Sequence, residues 1–327
     1  MVNREIGFSL WLDFIERDYL KNDFSALIEK GVINGATSNP AIFASAITSS
    51  PAYEEQLASL EGKSAKEKYE ALAIEDIKTA AKALRGLYDE NNDGYISIEV
   101  DPFLSHDTQG TVEEGRRLFS AIGEPNVMIK VPATNAGYDA MRILLSEGIS
   151  VNATLIFSPT QAQRCVKVMI EGMEATDKKV DGVISVFVSR FDRMLDGELA
   201  QCGIETGLTG VYNAAKIYKL IEKAQEPRIR TLFASTGVKG EDLPPYYYMR
   251  ELLAPHSVNT APLATIESWL RVKETPPKLP LEDAVINGYF TKLADNGFDM
   301  DEVYATLLQE GLEAFEKAFK EMLDQLD

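Results

Sequence analysis

From Tyr95 onward the chain alternates short, β-rich apolar runs with longer segments whose apolar residues recur every three or four positions. The runs predict strands at 95–102, Val127–Val131, 149–157, 182–190, 231–236 and, shortest, 258–263. The periodic segments between them predict helices at Thr111–Ile122, Tyr138–Glu147, Thr160–Ala175 and Thr209–Ala224. Upstream, residues 7–15 form an apolar run reaching Asp13, an amphipathic helix follows over 18–30 with Gly31 as its stop, and 33–40 runs from a second strand into a polar turn. Residues 41–92 carry Ala-rich helical periodicity and almost no strand signal, enough for two or three helices. Eight β segments alternating with helices predict an α/β chain folded as a (β/α)8 (TIM) barrel, with extra helices after strand 2 and a C-terminal helical extension. An open doubly wound sheet is the competing topology, but no Gly-x-Gly-x-x-Gly turn follows the first strand. The expectation is one domain over 1–327, with the barrel at about 8–275 and the extension at about 276–327. In the extension, 298–326 repeats apolar positions with Gly311 as the interruption, and a helix appended there can cover one mouth of the barrel. Residues 273–280 read as a surface loop.

Composition narrows the function. At 327 residues and 45% hydrophobic, with no uninterrupted apolar run long enough to span a bilayer, the chain is expected to be a globular, cytoplasmic protein without a membrane segment. Its net charge of -18 argues against nucleic acid, and any phosphate ligand must be held by local cations and backbone N–H groups against the overall field. Cys165 and Cys202 suggest no disulfide framework, and with His106 and His256 they show no metal-ligand spacing, so no metal is expected.

Within the pattern, Lys130 is out of place. It interrupts the apolar run Val127-Met-Ile-Lys-Val, which Pro132 then closes, and so stands at a strand's carboxyl end, where barrels assemble their chemistry. Desolvating an amine at such a place disfavours the ammonium form and frees a lone pair for attack on a carbonyl. A structural lysine paired with a carboxylate explains the same local sequence. Polar residues recur near the ends of the other strands: Asp13, Asn39, Glu99, Asn152, Thr154, Ser185, Arg190 and Ser235. Closing a barrel brings all those ends to one mouth. Singly, most have a bland reading: Asn39 before Pro40 as a turn former, Ser185 and Thr154 as satisfied hydroxyls, Arg190 as a surface partner of Asp192 or Asp196. Asp13 and Glu99 are harder to dismiss, because each carboxylate ends an apolar run where an unpaired charge is costly. With Lys130 they form either a structural ion triad or the minimum set for carbinolamine formation, dehydration and retro-aldol cleavage. His106 reads as a loop residue, since no Gly-x-Ser-x-Gly elbow supports a hydrolase triad, and Tyr246–Met249 reads as packing over a loop.

Four segments, Ala36-Thr-Ser-Asn-Pro-Ala-Ile, Met128-Ile-Lys-Val-Pro-Ala-Thr-Asn-Ala-Gly, Asn152-Ala-Thr-Leu-Ile-Phe-Ser and Ser185-Val-Phe-Val-Ser-Arg, resemble in order the signature segments of the transaldolases, Schiff-base-forming barrels of the class I aldolase type. The resemblance spans about residues 8–270. It implies that Lys130 forms the Schiff base, that Asp13 handles the proton of the substrate's C4 hydroxyl, and that Glu99 works through a water positioned by Thr154. It implies that Asn39, Asn152 and Ser185 hold the hydroxyls of the three-carbon fragment, and that Arg190 and Ser235 bind the distal phosphate. Phe187 falls where transaldolases carry Phe and the related fructose-6-phosphate aldolases carry Tyr. The commoner Ser-Phe-Arg after strand seven is here Ser235-Thr-Gly-Val-Lys239, so the second phosphate cation is expected to be Lys239 or Arg250. Taken together, the resemblance implies a cofactor-free transferase of sugar phosphates in the pentose phosphate pathway, acting as a monomer or a homodimer. Two alternatives are a Schiff-base aldolase that releases dihydroxyacetone and a barrel that binds sugar phosphates without chemistry.

Overall fold

The computed structural model describes residues 2–240, 242–272 and 275–327. Eight parallel strands close a barrel in sequence order: β1 (Phe8–Asp13), β2 (Gly35–Thr37), β3 (Ile96–Glu99), β4 (Val127–Pro132), β5 (Ser150–Ile156), β6 (Gly182–Phe187), β7 (Ile229–Ala234) and β8 (Ser257–Ala261). Every strand–strand pairing is parallel, and β8 returns to β1 with Leu12 opposite Ala261. This is the (β/α)8 barrel that the alternating pattern predicts.

The period-two alternation of strands divides the side chains into two cores. One set points outward against the helices: Leu10 and Leu12 of β1, Ile129 and Val131 of β4, Val151 and Ala153 of β5. The other fills the barrel interior, with Trp11, Met128, Val183, Leu232 and Val258 forming an apolar plug. Gly35 is required by that plug, because a Cβ there would lie 2.4 Å from the Trp11 indole nitrogen. Above the plug, two residues further along, the inward side chains become polar on four of these five strands, as Asp13, Lys130, Ser185 and Thr260, while β7 places Ala234 there.

The helices differ from the sequence expectation in two places. The segment expected as one helix over 18–30 breaks into Arg17–Lys21 and Asp23–Glu29, because Asn22 turns its amide back onto the Asp18 carbonyl at 2.7 Å. After β2 the helices follow as expected, three in number, Pro40–Ser49, Glu54–Ser59 and Ala65–Asp89, the last opened by a capping box of Ser64 and Glu67. The second difference bears on the site. The run expected as strand to Arg190 ends at Phe187, and Ser189–Gln201 is a helix that the strand pattern concealed. Arg190 therefore sits in the first turn of a helix.

In the extension, helix Asp283–Asp295 precedes the C-terminal helix Met300–Leu326. At 27 residues the latter is long enough, about 40 Å, to cross the whole barrel mouth. It packs beside helix Pro40–Ser49, helix Ala65–Asp89 and β5. Of the loop expected at 273–280, Lys273 and Glu274 lie outside the described residues. No described helix is long and apolar enough to cross a membrane.

Candidate active site

The strand register that closes the barrel also gathers the polar residues. Glu99 of β3 pairs with Lys130 of β4, which pairs with Asn152 of β5, while Pro132 pairs with Thr154. Asp13 pairs with Thr37 across β1 and β2. A cavity of about 220 Å³ opens over this end, with Asp13, Asn39, Lys130, Thr154, Ser185, Phe187, Arg190 and Ser235 in its wall. Eight of the sequence candidates thus face one space. Glu99 and Asn152 lie beneath its floor, and Lys239 stands apart from it.

Lys130 is buried, 5% exposed. Its Nζ donates to the Ser38 carbonyl at 3.2 Å and lies 3.2 Å from Glu99 Oε2. The second contact is an ion pair; both Glu99 oxygens are buried without a hydrogen bond among the described residues. Burial pushes the Glu99 pKa up to about 7, against the pull of Lys130, with the charge of Asp13 adding to the rise. Asp13 is raised above the ordinary carboxylate value by the same burial, opposed by Lys130 and by the Thr37 hydrogen bond. Part of the Asp13 surface remains open to the cavity, whereas Glu99 is enclosed.

Sequence reasoning missed two hydroxyls. Thr37 Oγ1 donates to Asp13 Oδ1 at 2.6 Å and lies 2.7 Å from Thr260 Oγ1. Thr37 has one proton, so once it serves Asp13 the Thr260 hydroxyl must donate to Thr37. Both residues line the cavity. Their signal was the inward phase of β2 and β8, legible only once the register is known.

The remaining candidates divide by what the protein already asks of them. Asn39 caps helix Pro40–Ser49 by accepting from Ile42 N–H at 3.1 Å, which is the bland role, yet it also faces the cavity. Asn152 is fully buried; its amide donates to Ser97 Oγ at 3.0 Å and its carbonyl accepts from Ser185 Oγ at 2.6 Å, so Ser185 is its link to the cavity. Thr154 Oγ1 is buried with no hydrogen-bond partner among the described residues. A register shift between Ala153 and Ile156, with Leu155 at φ +58°, sets the conformation of this strand end. Gln161 ties it down by donating to Leu155 O at 3.0 Å and accepting from Phe157 and Ser158 N–H.

Arg190 makes no hydrogen bond or ion pair to a described residue. Burial and the nearby Arg193 lower its pKa, and its guanidinium lies 5.5 Å from the Phe187 ring centre. Ser235, the other phosphate candidate, is at φ +55° and is fixed by Ser189, whose N–H donates to its carbonyl at 3.1 Å and whose Oγ lies 2.9 Å from its Oγ. Neither cation expected to accompany Arg190 reaches the cavity wall. Lys239 is exposed on the loop after β7. Arg250 Nε donates to Glu251 at 2.9 Å, and its guanidinium rests against Tyr246 and Tyr247. The tyrosine run packs against the turn at Gly207 and helix Ser189–Gln201, with Tyr247 donating to Gly207 O and Tyr248 to Asp192 Oδ2. His106 is exposed in a turn.

A buried lysine between two carboxylates of raised pKa, at the carboxyl mouth of a parallel barrel, defines an aldolase-type barrel equipped for carbonyl chemistry. Residues 10–326 match the family model described as transaldolase/fructose-6-phosphate aldolase. A transaldolase of Helicobacter pylori (strain P12) is 44% identical over 97% of this chain and 98% of its own length. A transaldolase of Campylobacter jejuni (serotype O:23/36, strain 81-176) is 46% identical over 98% and 99%. The chain belongs to the transaldolase/fructose-6-phosphate aldolase family and is an enzyme of the transaldolase kind.

Proposed function

We propose that this enzyme transfers a dihydroxyacetone unit through a Schiff base on Lys130, between sedoheptulose 7-phosphate or fructose 6-phosphate and glyceraldehyde 3-phosphate or erythrose 4-phosphate, in the cytoplasmic non-oxidative pentose phosphate pathway. The observation that carries the reading is the placement of Lys130 Nζ in the cavity wall, 3.2 Å from a Glu99 carboxyl whose pKa is about 7. A base of that strength can take a proton from the attacking amine and return it to a leaving hydroxyl near neutral pH.

In this reading the neutral amine adds to C2 of the ketose, and loss of water leaves an iminium that draws electrons from the C3–C4 bond. Asp13 takes the C4 hydroxyl proton as that bond breaks, held in orientation by Thr37. The aldose phosphate departs and the three-carbon enamine stays on Nζ until a second aldehyde arrives and the steps reverse. Thr154 Oγ1 and both Glu99 carboxyl oxygens are buried without a hydrogen bond among the described residues, which supports a water held between them as the proton carrier of the dehydration step. Arg190, a desolvated cation at the far wall, suits the distal phosphate.

Borohydride reduction in the presence of fructose 6-phosphate tests the covalent step. A single reduced dihydroxyacetone adduct on Lys130 is expected in the peptide mass map, and its absence would overturn the reading. The family description also covers aldolases. Sustained turnover of fructose 6-phosphate with no acceptor aldehyde would favour that alternative over transfer.

A further inference from the structure

The C-terminal helix is fixed at three points along its length. Near its start, Tyr304 Oη donates to Asn213 Oδ1 at 3.0 Å. At its middle the helix rests directly on the strand that carries Thr154: a Cβ on Gly311 would stand 3.0 Å from Leu155 Cδ2 and 3.6 Å from Arg190 Nη1. Towards its end Phe319 meets the Tyr69 ring at 5.3 Å, and Lys68 reaches the Leu326 carbonyl. Gly311, Phe315 and Phe319 are spaced by four and therefore share one face. Between the two outer anchors that face lowers Phe315 into the cavity wall, where it is 8% exposed and its ring centre lies 5.7 Å from Lys130 Nζ.

From this we propose that Phe315 is a specificity-determining residue: its ring keeps solvent, beyond the one water assigned to Thr154 and Glu99, from the covalent three-carbon adduct on Lys130, so that the adduct passes to an aldehyde instead of being hydrolysed. The proposal rests on the Schiff-base reading. Release of the adduct takes a proton onto C3 of the enamine, for which Asp13 is the available acid, and then a water onto C2. The new C2–O bond forms, the C2–Nζ bond breaks, and dihydroxyacetone leaves the free amine behind. Transfer instead joins C3 to the aldehyde carbon and needs no water until the product is complete. The two outcomes share every group around Lys130 and differ in whether water reaches C2 before an aldehyde reaches C3. Phe315 and Phe187 are the large apolar side chains of the cavity wall, and neither carries a group that could anchor a water there. Phe315 belongs to the interior apolar cluster with Leu155, Phe157 and Phe187, but its ring also faces the cavity and stands over the amine.

The test measures dihydroxyacetone released from fructose 6-phosphate alone, divided by the rate of transfer to an acceptor aldehyde, in the full chain. Phe315→Ala is expected to raise that ratio by about tenfold or more. Phe315→Tyr, which keeps the ring and adds a hydroxyl able to hold a water, is expected to raise it as well. Phe315→Leu, which retains most of the cover, should leave it near the wild-type value. If Phe315→Ala fails to fold, the tyrosine and leucine variants still read the same ratio. An unchanged ratio in the folded alanine and tyrosine variants overturns the proposal, even if both rates fall. Failure of the Schiff-base reading looks different, since the wild-type protein itself would then form no borohydride adduct.

Discussion

Replacing Glu99 by Gln separates what this carboxyl does for chemistry from what it does to stability. Its pKa is pushed from 4.5 to about 7 on folding, chiefly by burial. The folded protein therefore holds the Glu99 proton more tightly than the unfolded chain does. The stabilisation is complete below 4.5 and disappears as pH rises through about 7, where ionisation places a charge in a site that Lys130 only partly compensates. Integrating the linkage relation between about pH 5 and about pH 8 gives a loss of about 2 to 3 kcal/mol from this one group. Glutamine resembles the protonated carboxyl and cannot ionise, so the variant should lack that loss. Urea unfolding of both proteins at the two pH values is the assay. The stability difference should move towards the variant by about 2 to 3 kcal/mol on going from pH 5 to pH 8, with the contribution of Asp13 largely cancelling between the two proteins. Over the same range the variant's kcat should stand about 10²- to 10⁴-fold below wild type, the usual worth of a positioned acid or base. A stability difference that is the same at both pH values would refute the reasoning, because Glu99 would then not change protonation between them.

Two further predictions concern the phosphate end and the scaffold. Arg190→Gln should raise KM for phosphorylated acceptors by about ten- to hundredfold, the worth of a charged hydrogen bond, and leave unphosphorylated glyceraldehyde nearly unaffected; Lys239→Ala should change neither, and equal losses on both acceptors would count against a phosphate role for Arg190. Arg17 bonds Asp76 at 2.9 Å in the buried packing between the first helix and helix Ala65–Asp89, so Arg17→Met, which leaves the carboxylate without its cation and with only the Tyr53 hydroxyl at 2.8 Å, should cost about 3 to 5 kcal/mol in urea unfolding, and adding Asp76→Asn should recover part of it.

The sequence carried the barrel because strand and helix periods differ enough to count eight alternations, and it singled out Lys130 as a charge inside an apolar strand, although a structural pairing with a carboxylate explained the same local sequence. Two kinds of information were not in it. Register was one: Thr37 and Thr260 are ordinary strand residues until the pairing of β1 with β2 and β8 brings them beside Asp13. Tertiary commitment was the other. Arg250 and Lys239 are equal candidates as letters, but Arg250 is engaged by Glu251 and two tyrosine rings, and Lys239 projects from its loop. The helix at Ser189–Gln201 was hidden because the apolar run of β6 passes straight into it; Val188, at φ -108° and ψ -69°, makes the turn. The C-terminal helix was legible as a helix, but periodicity specifies a face, not the surface it meets. Gly311 was the interruption in that face, and its place against Leu155 accounts for the missing side chain.

The two carboxylates flanking Lys130 illustrate how one barrel mouth can hold two different acids. Asp13 has a hydroxyl donor in Thr37, itself supported by Thr260, and partial access to the cavity. Glu99 has neither; its stabilising neighbour is the amine, so its proton affinity depends on the charge of Lys130. When Lys130 is a neutral amine or an enamine, Glu99 loses that support and is driven to hold a proton; when an iminium forms, the positive charge returns and favours proton release. Asp13 also feels Lys130, but its fixed hydrogen bond moderates the response. A proton store that follows the charge on nitrogen is what formation and hydrolysis of an imine require, whereas cleavage of the C3–C4 bond requires a base that holds its orientation. In the Schiff-base reading proposed above, the division of roles follows from which carboxyl the barrel hydrogen-bonds and which it leaves with only the lysine.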